Sequence, residues 1–414
     1  MRRGFNIFIV VLAAVIVWTV WFYWKNLRGI SPAINKPPAD ITTLLPPSTP
    51  AQRPVLEQPS TPLVLPPGFV IGIFAKDLGA PRVLLKDPNG TLLVSIPQQG
   101  RVVALPDRND DGAADETITV ASNLQKPHGL ALKCEASCKL FIAEENQVAS
   151  YDYDPENFRV AHKTKLADLP TGGNHTSRTI IVMPPPNDHQ LLISIGSSCN
   201  VCNEKDERRA SILVYDLITK EVKHFARGLR NAVFMTVHPN TKKIWVTEMG
   251  RDLLGDDLPP DEINIVEVDK NYGWPMCYGK NIHDTAFDRQ SVYKRNPCME
   301  PFEIPSYIDI PAHSAPLGLA FVPATPAWPQ EFHSDLLVSY HGSWNRSTPT
   351  GYKIARFKLD EQGRYEGADN FISGWLTKDG ALGRPVDILI HQGGIYVSDD
   401  KAGVIYRISY TGAI

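Results

Sequence analysis

Neither sign of charge prevails in this chain: 42 lysines and arginines stand against 45 aspartates and glutamates, a formal net charge of −3 over 414 residues. With no basic patch besides, there is no electrostatic case for a nucleic-acid partner. Sustained 3.6-residue hydrophobic periods are almost missing, which turns the fold away from helix-rich classes. Cysteine is sparse, six residues in all. A single C-x-x-C occurs, Cys199 to Cys202, and no histidine lies beside the cysteines at zinc-finger spacing, which disfavours a zinc site. No thioredoxin-like βαβ pattern surrounds that motif, which argues against a redox-active pair. Cys134 with Cys138, Cys199 with Cys202 and Cys277 with Cys298 instead make three locally plausible disulfides, and disulfides in that number imply an oxidising compartment.

A long apolar run occurs once. Residues 5–24 are uncharged, and ~20 apolar residues suffice to cross a bilayer as a helix. A cleavable signal peptide is the rival reading, but its apolar region would be shorter, and the bulky stretch from Thr19 to Trp24 is a poor small-residue cleavage site. The expectation is an uncleaved transmembrane anchor within residues 1–28. Arg2 and Arg3 nearly balance Lys25 and Arg28, so orientation rests on the cysteines, which put the rest of the chain on the periplasmic or extracellular side. Residues 29–67, rich in Pro, Thr and Ser, read as an extended spacer. At ~3.1 Å per residue such a spacer reaches on the order of 100 Å.

Residues 68–414 read as one all-β domain. Short β-branched or aromatic strands alternate with Asp, Asn, Gly and Pro turns. One strand type recurs six times, starting at Leu92, Leu140, Leu191, Ile244, Leu336 and Ile395. Spacings of ~40 to 60 residues are those of propeller blades, so the expected fold is a six-bladed β-propeller, with Phe69 to Ala75 closing the ring on the last blade. A pair of β-sandwiches is the alternative, but the even recurrence to the C-terminus argues against two cores.

Site-type residues concentrate between Ala226 and Pro275. Arg230 and Asn231 precede one strand, Glu248, Met249 and Gly250 follow the next, and an acidic loop leads through Asp261, Glu262, Ile263 and Asn264 to Asn271, Tyr272, Gly273, Trp274 and Pro275. Glycines and carboxylates at one strand end suit a hard cation bound through oxygen. The order G-x-R-N, E-x-G, D-E-I-N, N-Y-G-W-P resembles the pyrroloquinoline-quinone-dependent sugar dehydrogenases of the glucose/sorbosone dehydrogenase family. The likeness extends loosely from about Pro66 to the C-terminus, including the stretches Gly173 to Arg178 and Gly383 to Asp387. The short H-T-S-R form puts the chain nearer the sorbosone or pyranose dehydrogenases than the soluble glucose enzyme.

The resemblance implies pyrroloquinoline quinone and Ca²⁺ as cofactors, a sugar or polyol substrate and an electron acceptor it does not identify. It makes His175 the general base, Arg230 the group that polarises a quinone carbonyl and Asn231 a cofactor ligand. Carbonyls of Gly250 and Arg251 would bind cofactor calcium, and Glu262 with Tyr272 a structural calcium. Arg384 would meet a cofactor carboxylate, with Arg346 a weaker candidate. His128 and His313 each precede a blade and are placed to line the channel, or are ordinary turn residues. Separately, Asp107, Asn109, Asp111 and Asp115 fit the first half of a D-x-N-x-D-G calcium loop, but Ile118 stands where an EF-hand needs Glu, leaving a compact calcium loop or a plain acidic turn. Two other functions stay open: a calcium-dependent hydrolase such as a lactonase, and a non-catalytic binding propeller.

Overall fold

The structure, a computed structural model, describes residues 15–21, 56–289, 293, 295–299 and 303–412. The chain divides into two units, Met1–Arg53 and Pro54–Ile414. In the first, residues 15–21 are helical. The remainder of the expected span lies outside the described residues, and among those described no helix is long and apolar enough to cross a membrane.

Among the described residues, the second unit contains six four-stranded antiparallel sheets, one of them extended by a fifth strand, and two small two-stranded ones. Their innermost strands are Leu84–Lys86, Gly129–Cys134, Ile180–Val182, Ala232–Val237, Pro316–Phe321 and Pro385–His391, and we number blades 1 to 6 in that order. Each inner strand touches the inner strands on both sides, so the ring closes. The second strands, Leu92–Ile96, Cys138–Ala143, Gln190–Ile195, Ile244–Glu248, Leu336–Tyr340 and Gly394–Asp399, are the six recurring units of the sequence. Ring closure also follows expectation: Phe69–Ala75 pairs antiparallel with Val404–Tyr410 as the outermost strand of blade 6.

Blades pack face to face, so a second strand is covered on both sides. That is why Leu92–Ile96 and Leu336–Tyr340 are buried at every position and read as continuous apolar runs instead of alternating ones. The outer strand Arg159–Asp168 of blade 2, by contrast, is mostly exposed. Within those runs one hydroxyl residue recurs and fastens blade to blade. Ser194 of blade 3 donates to Ala232 O of blade 4, Thr247 to Leu317 O of blade 5 (2.6 Å), Ser339 to Val386 O of blade 6, and Ser398 to Arg82 O at the entry to blade 1 (2.6 Å).

All three expected disulfides form: Cys134–Cys138, Cys199–Cys202 and Cys277–Cys298. The last staples an insertion between the third and fourth strands of blade 4, whose Lys270–Asn271 pairs in parallel with the outer strand of blade 3. The end of the segment expected as spacer is not free. Ile73 N–H donates to Glu57 O (2.8 Å) and Val64 pairs with Ser373, strapping residues 57–64 to the outer edges of blades 6 and 5.

Candidate active site

Inner strands begin, and second strands end, at one face of the ring. His128 immediately precedes inner strand Gly129–Cys134, Arg230 and Asn231 precede Ala232–Val237, and Arg384 precedes Pro385–His391. His175 and His313 lie in the lead-ins to blades 3 and 5, while Gly250, Arg251 and Arg346 follow second strands. The topology therefore gathers these candidates at a single face, although they are spread over some 250 positions.

His175 is held by its Nδ1, which lies 3.0 Å from Ser197 O and 2.9 Å from Ser197 Oγ. A carbonyl only accepts, so Nδ1 carries the proton and Nε2 is the bare nitrogen. Burial, then the neighbouring Arg230 charge, pushes the imidazole down to about 3, so it is neutral across the ordinary pH range. Gly196 permits this packing: a Cβ there would stand 2.6 Å from both His175 Cβ and Asn231 Oδ1. Arg178, fully buried, donates to His175 O (3.0 Å), Ser177 O (2.8 Å) and Pro170 O (2.7 Å), and so shapes the loop that carries His175.

Arg230 is saturated by the protein. Nε donates to Asn200 O (2.8 Å), Nη1 to Met249 O (3.2 Å) and Gly250 O (2.8 Å), and Nη2 to Asn200 Oδ1 (3.0 Å) and Asp252 Oδ2 (2.9 Å). Those are all five of its donors, so it can polarise a quinone carbonyl only by giving one up. Asn231 is buried beside it, its backbone N–H on Glu248 Oε1 (3.1 Å). Arg251 pairs with Asp284 (2.7 Å), which offsets its charge; both residues are in the wall of the cavity beside Arg230.

Behind Arg230 lies a cavity of about 20 Å³ lined by Gly228, Glu248, Gly250, Glu262 and Tyr272, among others. That is room for one water or a bare ion, since ~10 to 15 Å³ suffices. Glu248 Oε2 is buried with no protein partner. Glu262 accepts from Gly279 N–H (2.6 Å) and Asn264 (2.9 Å). Burial pushes both carboxyls up, and Glu262 pushes Glu248 further. Glu262 with both oxygens bonded and Glu248 with one oxygen orphaned, around an ion-sized space, fit a hard cation. Asp261 braces the site, taking Gly250 N–H and Ala315 N–H (both 2.8 Å).

The opposite side of the same face holds a cleft of about 470 Å³, within the ~300 to 1,000 Å³ of small-molecule pockets. Arg82, Lys126, His128, Thr176, Ser177 and Asp400 line it. His128 is buried, its Nδ1 3.3 Å from Thr179 and its Nε2 unpartnered. Arg82 and His341 both reach Asp400, at 2.7 and 2.9 Å. Burial pushes His341 down to about 4. Burial would raise Asp400, but His341 and Arg82 hold it down to about 2. Arg384 leans over Tyr352 and donates to His341 O (2.9 Å) and Gly342 O (2.6 Å), its Nη1 taking no protein acceptor among the described residues.

Sequence reasoning missed Arg82, His341 and Asp400, although His341 and Asp400 follow second strands directly, the position from which residues converge. Other candidates are already engaged. His313 Nε2 donates to Gly255 O (2.8 Å), and Arg346 binds Asp256 O (2.6 Å) and Asp257 (2.8 Å). In the acidic loop of blade 1, Asp107 takes the N–H groups of Asp111 (3.0 Å) and Gly112 (2.9 Å), Asn109 takes Asp111 N–H (3.1 Å) and Asp115 takes Arg108 N–H (2.8 Å). The loop leaves its strand at Leu105, paired to Leu92 at the end remote from the site. Among the described residues the one group of three acid, thiol or imidazole ligands within 4.8 Å is Cys199, Cys202 and Glu204, whose sulfurs are joined in a disulfide.

An uncharacterized protein of Borreliella burgdorferi is 32% identical over 370 residues, 86% of this chain and 92% of that one. A pyrroloquinoline quinone-dependent pyranose dehydrogenase of Coprinopsis cinerea is 24% identical over 349 residues, 74% of this chain but 46% of that enzyme, so the chain spans less than half its length. The calcium structure of the Trichoderma reesei Carbohydrate-Active Enzymes Family AA12 protein superposes with a TM-score of 0.72 at 22% identity, covering 85% of this chain and 98% of that one, a likeness of fold. A model of the TrAA12-like family matches residues 63–411, the whole propeller, and the chain belongs to that family.

Proposed function

We propose that this protein is an oxidoreductase that oxidises a sugar or related hydroxyl, or an aldehyde hydrate, with pyrroloquinoline quinone. The observation that carries the reading is the bare Nε2 of a neutral His175, two residues from Ser177 in the wall of the 470 Å³ cleft. When bound, the quinone supplies the acceptor for the hydride leaving the substrate carbon. His175 takes the hydroxyl proton on Nε2, and Ser197 keeps the ring turned for it. Lys126, Arg82 and Arg384 offer donors to a tricarboxylate. Gly250 and Arg251 would hold calcium through their carbonyls, and Glu248 with Glu262 and Tyr272 a second ion in the 20 Å³ cavity, supplying positive charge near Arg230.

The apolar run over residues 5–24 and the three disulfides support a membrane anchor with the propeller on the periplasmic or extracellular side, and a separate protein or small molecule as electron acceptor. Titration of the protein with the quinone in calcium, read by absorbance, tests the cofactor. His175→Ala tests the base: the rate of quinone reduction by sugars falls by roughly 10² to 10⁴, with quinone binding retained. With the imidazole at about 3, wild-type reduction does not lose activity to His175 protonation until well below pH 5. Unchanged single-turnover reduction in quinone-loaded His175→Ala removes His175 from the mechanism and moves base duty to His341, whose Nδ1 is the bare nitrogen.

A further inference from the structure

Between the second strand of blade 3 and the next strand runs the loop that contains Cys199 and Cys202. One side of it grips the His175 segment. Ser197 holds Nδ1 of the ring, and Asn174 N–H donates to Ser198 O (2.9 Å). The other side grips the Arg230 segment. Ser197 N–H donates to Arg230 O (2.7 Å), and Asn200 takes two guanidinium donors through O and Oδ1. Asn200 Oδ1 also accepts Asp252 N–H (2.7 Å), and its Nδ2 donates to Asp252 O (3.1 Å), tying in the loop after blade 4. Ser197 Oγ donates in turn to Cys199 O (2.7 Å). Four consecutive residues, Ser197 to Asn200, thus bridge three segments that come from three separate lead-ins and loops, and no regular strand holds them.

We propose that the Cys199–Cys202 disulfide is a positioning device for the reaction, clamping Ser197 under His175 and Asn200 under Arg230. A short coil outside any strand ladder, with Glu204 on Ser198 (2.6 and 2.7 Å) as a further tie, has many conformations open to it without a crosslink, and closing it covalently removes them. The inference rests on the roles given to His175 and Arg230 above. Cys134–Cys138 provides the contrast: it closes the hairpin of blade 2 where Cys134 pairs with Cys138, at the end opposite Gly129 and the site.

The experiment compares the full-length Cys199→Ser/Cys202→Ser and Cys134→Ser/Cys138→Ser proteins with wild type. Hydrogen–deuterium exchange is measured without cofactor, and sugar-driven quinone reduction is measured per bound quinone. In Cys199→Ser/Cys202→Ser, exchange rises at least tenfold in the peptides around His175, Arg230 and Asp252 while the other blades keep wild-type protection. Its reduction rate falls at least tenfold, with the sugar concentration for half-maximal rate within threefold. The Cys134→Ser/Cys138→Ser protein behaves as wild type in all of these. Wild-type exchange at the three segments in folded Cys199→Ser/Cys202→Ser overturns the proposal, whatever the activity. A wild-type protein that never reduces the quinone overturns the proposed function instead, and the exchange result still decides the clamp. Should that variant not fold, Asn200→Ala, which keeps the disulfide, decides: loosening confined to the Arg230 and Asp252 segments supports the clamp, and none overturns it.

Discussion

The two sides of the site face use the same topological positions for different ends. On the side of blades 3 to 5, the three arginines singled out by the sequence are engaged with the protein: Arg230 with five acceptors, Arg346 with the acidic loop and Arg251 with Asp284. On the side of blades 6, 1 and 2, Arg82 and Lys126 line a cleft, and Arg384 leaves Nη1 without a protein acceptor among the described residues. A motif therefore names the residues at a site without saying whether they are free. Saturated guanidinium groups build the wall, and partly satisfied ones recognise what enters.

That contrast gives the largest expected effect. Arg230→Ala strips a partner from half-buried Asp252 and from four other acceptors at once, so it should destabilise the fold by about 3 kcal/mol, the low end of the cost of breaking a buried pair. Chemical denaturation of the apo-protein measures it. A loss under 1 kcal/mol would mean that the guanidinium is held loosely and is available to a ligand after all.

The next effect belongs to the joint between blades 6 and 1. Burial raises the Asp387 carboxyl to about 7, where it takes Leu84 N–H (2.8 Å) and Ile388 N–H (2.8 Å). An acid with a raised native pKa binds more protons folded than unfolded, so its contribution is full below the unfolded value near 4 and is lost as pH rises through 7. The apo-protein should lose on the order of a few kcal/mol over that window from this group, at 1.36 kcal/mol per unit. Asp387→Asn should flatten that part of the stability profile; an identical pH slope in the variant would assign the loss to other groups.

Arg384→Ala should cost less stability than Arg230→Ala but more ligand. Its guanidinium holds two carbonyls and leaves Nη1 over, so quinone affinity should weaken by about 1.5 to 3 kcal/mol, as for a charge-assisted contact. Calorimetry of the two variants, where each folds, breaks the comparison if Arg384→Ala binds the quinone like wild type.

Much of the fold was legible because a buried second strand has a local signature. Leu336 to Tyr340 is apolar at nearly every position since both faces meet neighbouring blades. The His175 and Arg230 neighbourhoods were legible because their motifs are contiguous. Arg82, His341 and Asp400 were not, since their meeting is set by ring closure over some 300 positions and leaves no local pattern. Saturation of Arg230 was equally invisible: three of its acceptors are backbone carbonyls, which any residue provides. The anchor expected over residues 5–24 falls largely outside the described residues.

The smallest effect concerns the hydroxyl that recurs in the second strands, present as Ser95, Ser194, Thr247, Ser339 and Ser398 and replaced by Ala143 in blade 2. Ser339 donates to Val386 O and, at 3.3 Å, to Gly318 O, so Ser339→Ala leaves buried carbonyls short of a donor at the joint of blades 5 and 6. The expected loss is about 1 to 2 kcal/mol. Blade 2 folds with an alanine at the equivalent place, packed in the core by Val148 and Ile180, so one missing fastener is survivable. The fasteners at blades 3 to 6 lie on successive joints, and losses at sites that share no partner add. Thr247→Val with Ser339→Ala should therefore lower stability by the sum of the single losses within about 0.5 kcal/mol. A larger combined loss would show that the joints of blade 5 yield together and that the two sides of the site face are coupled through it.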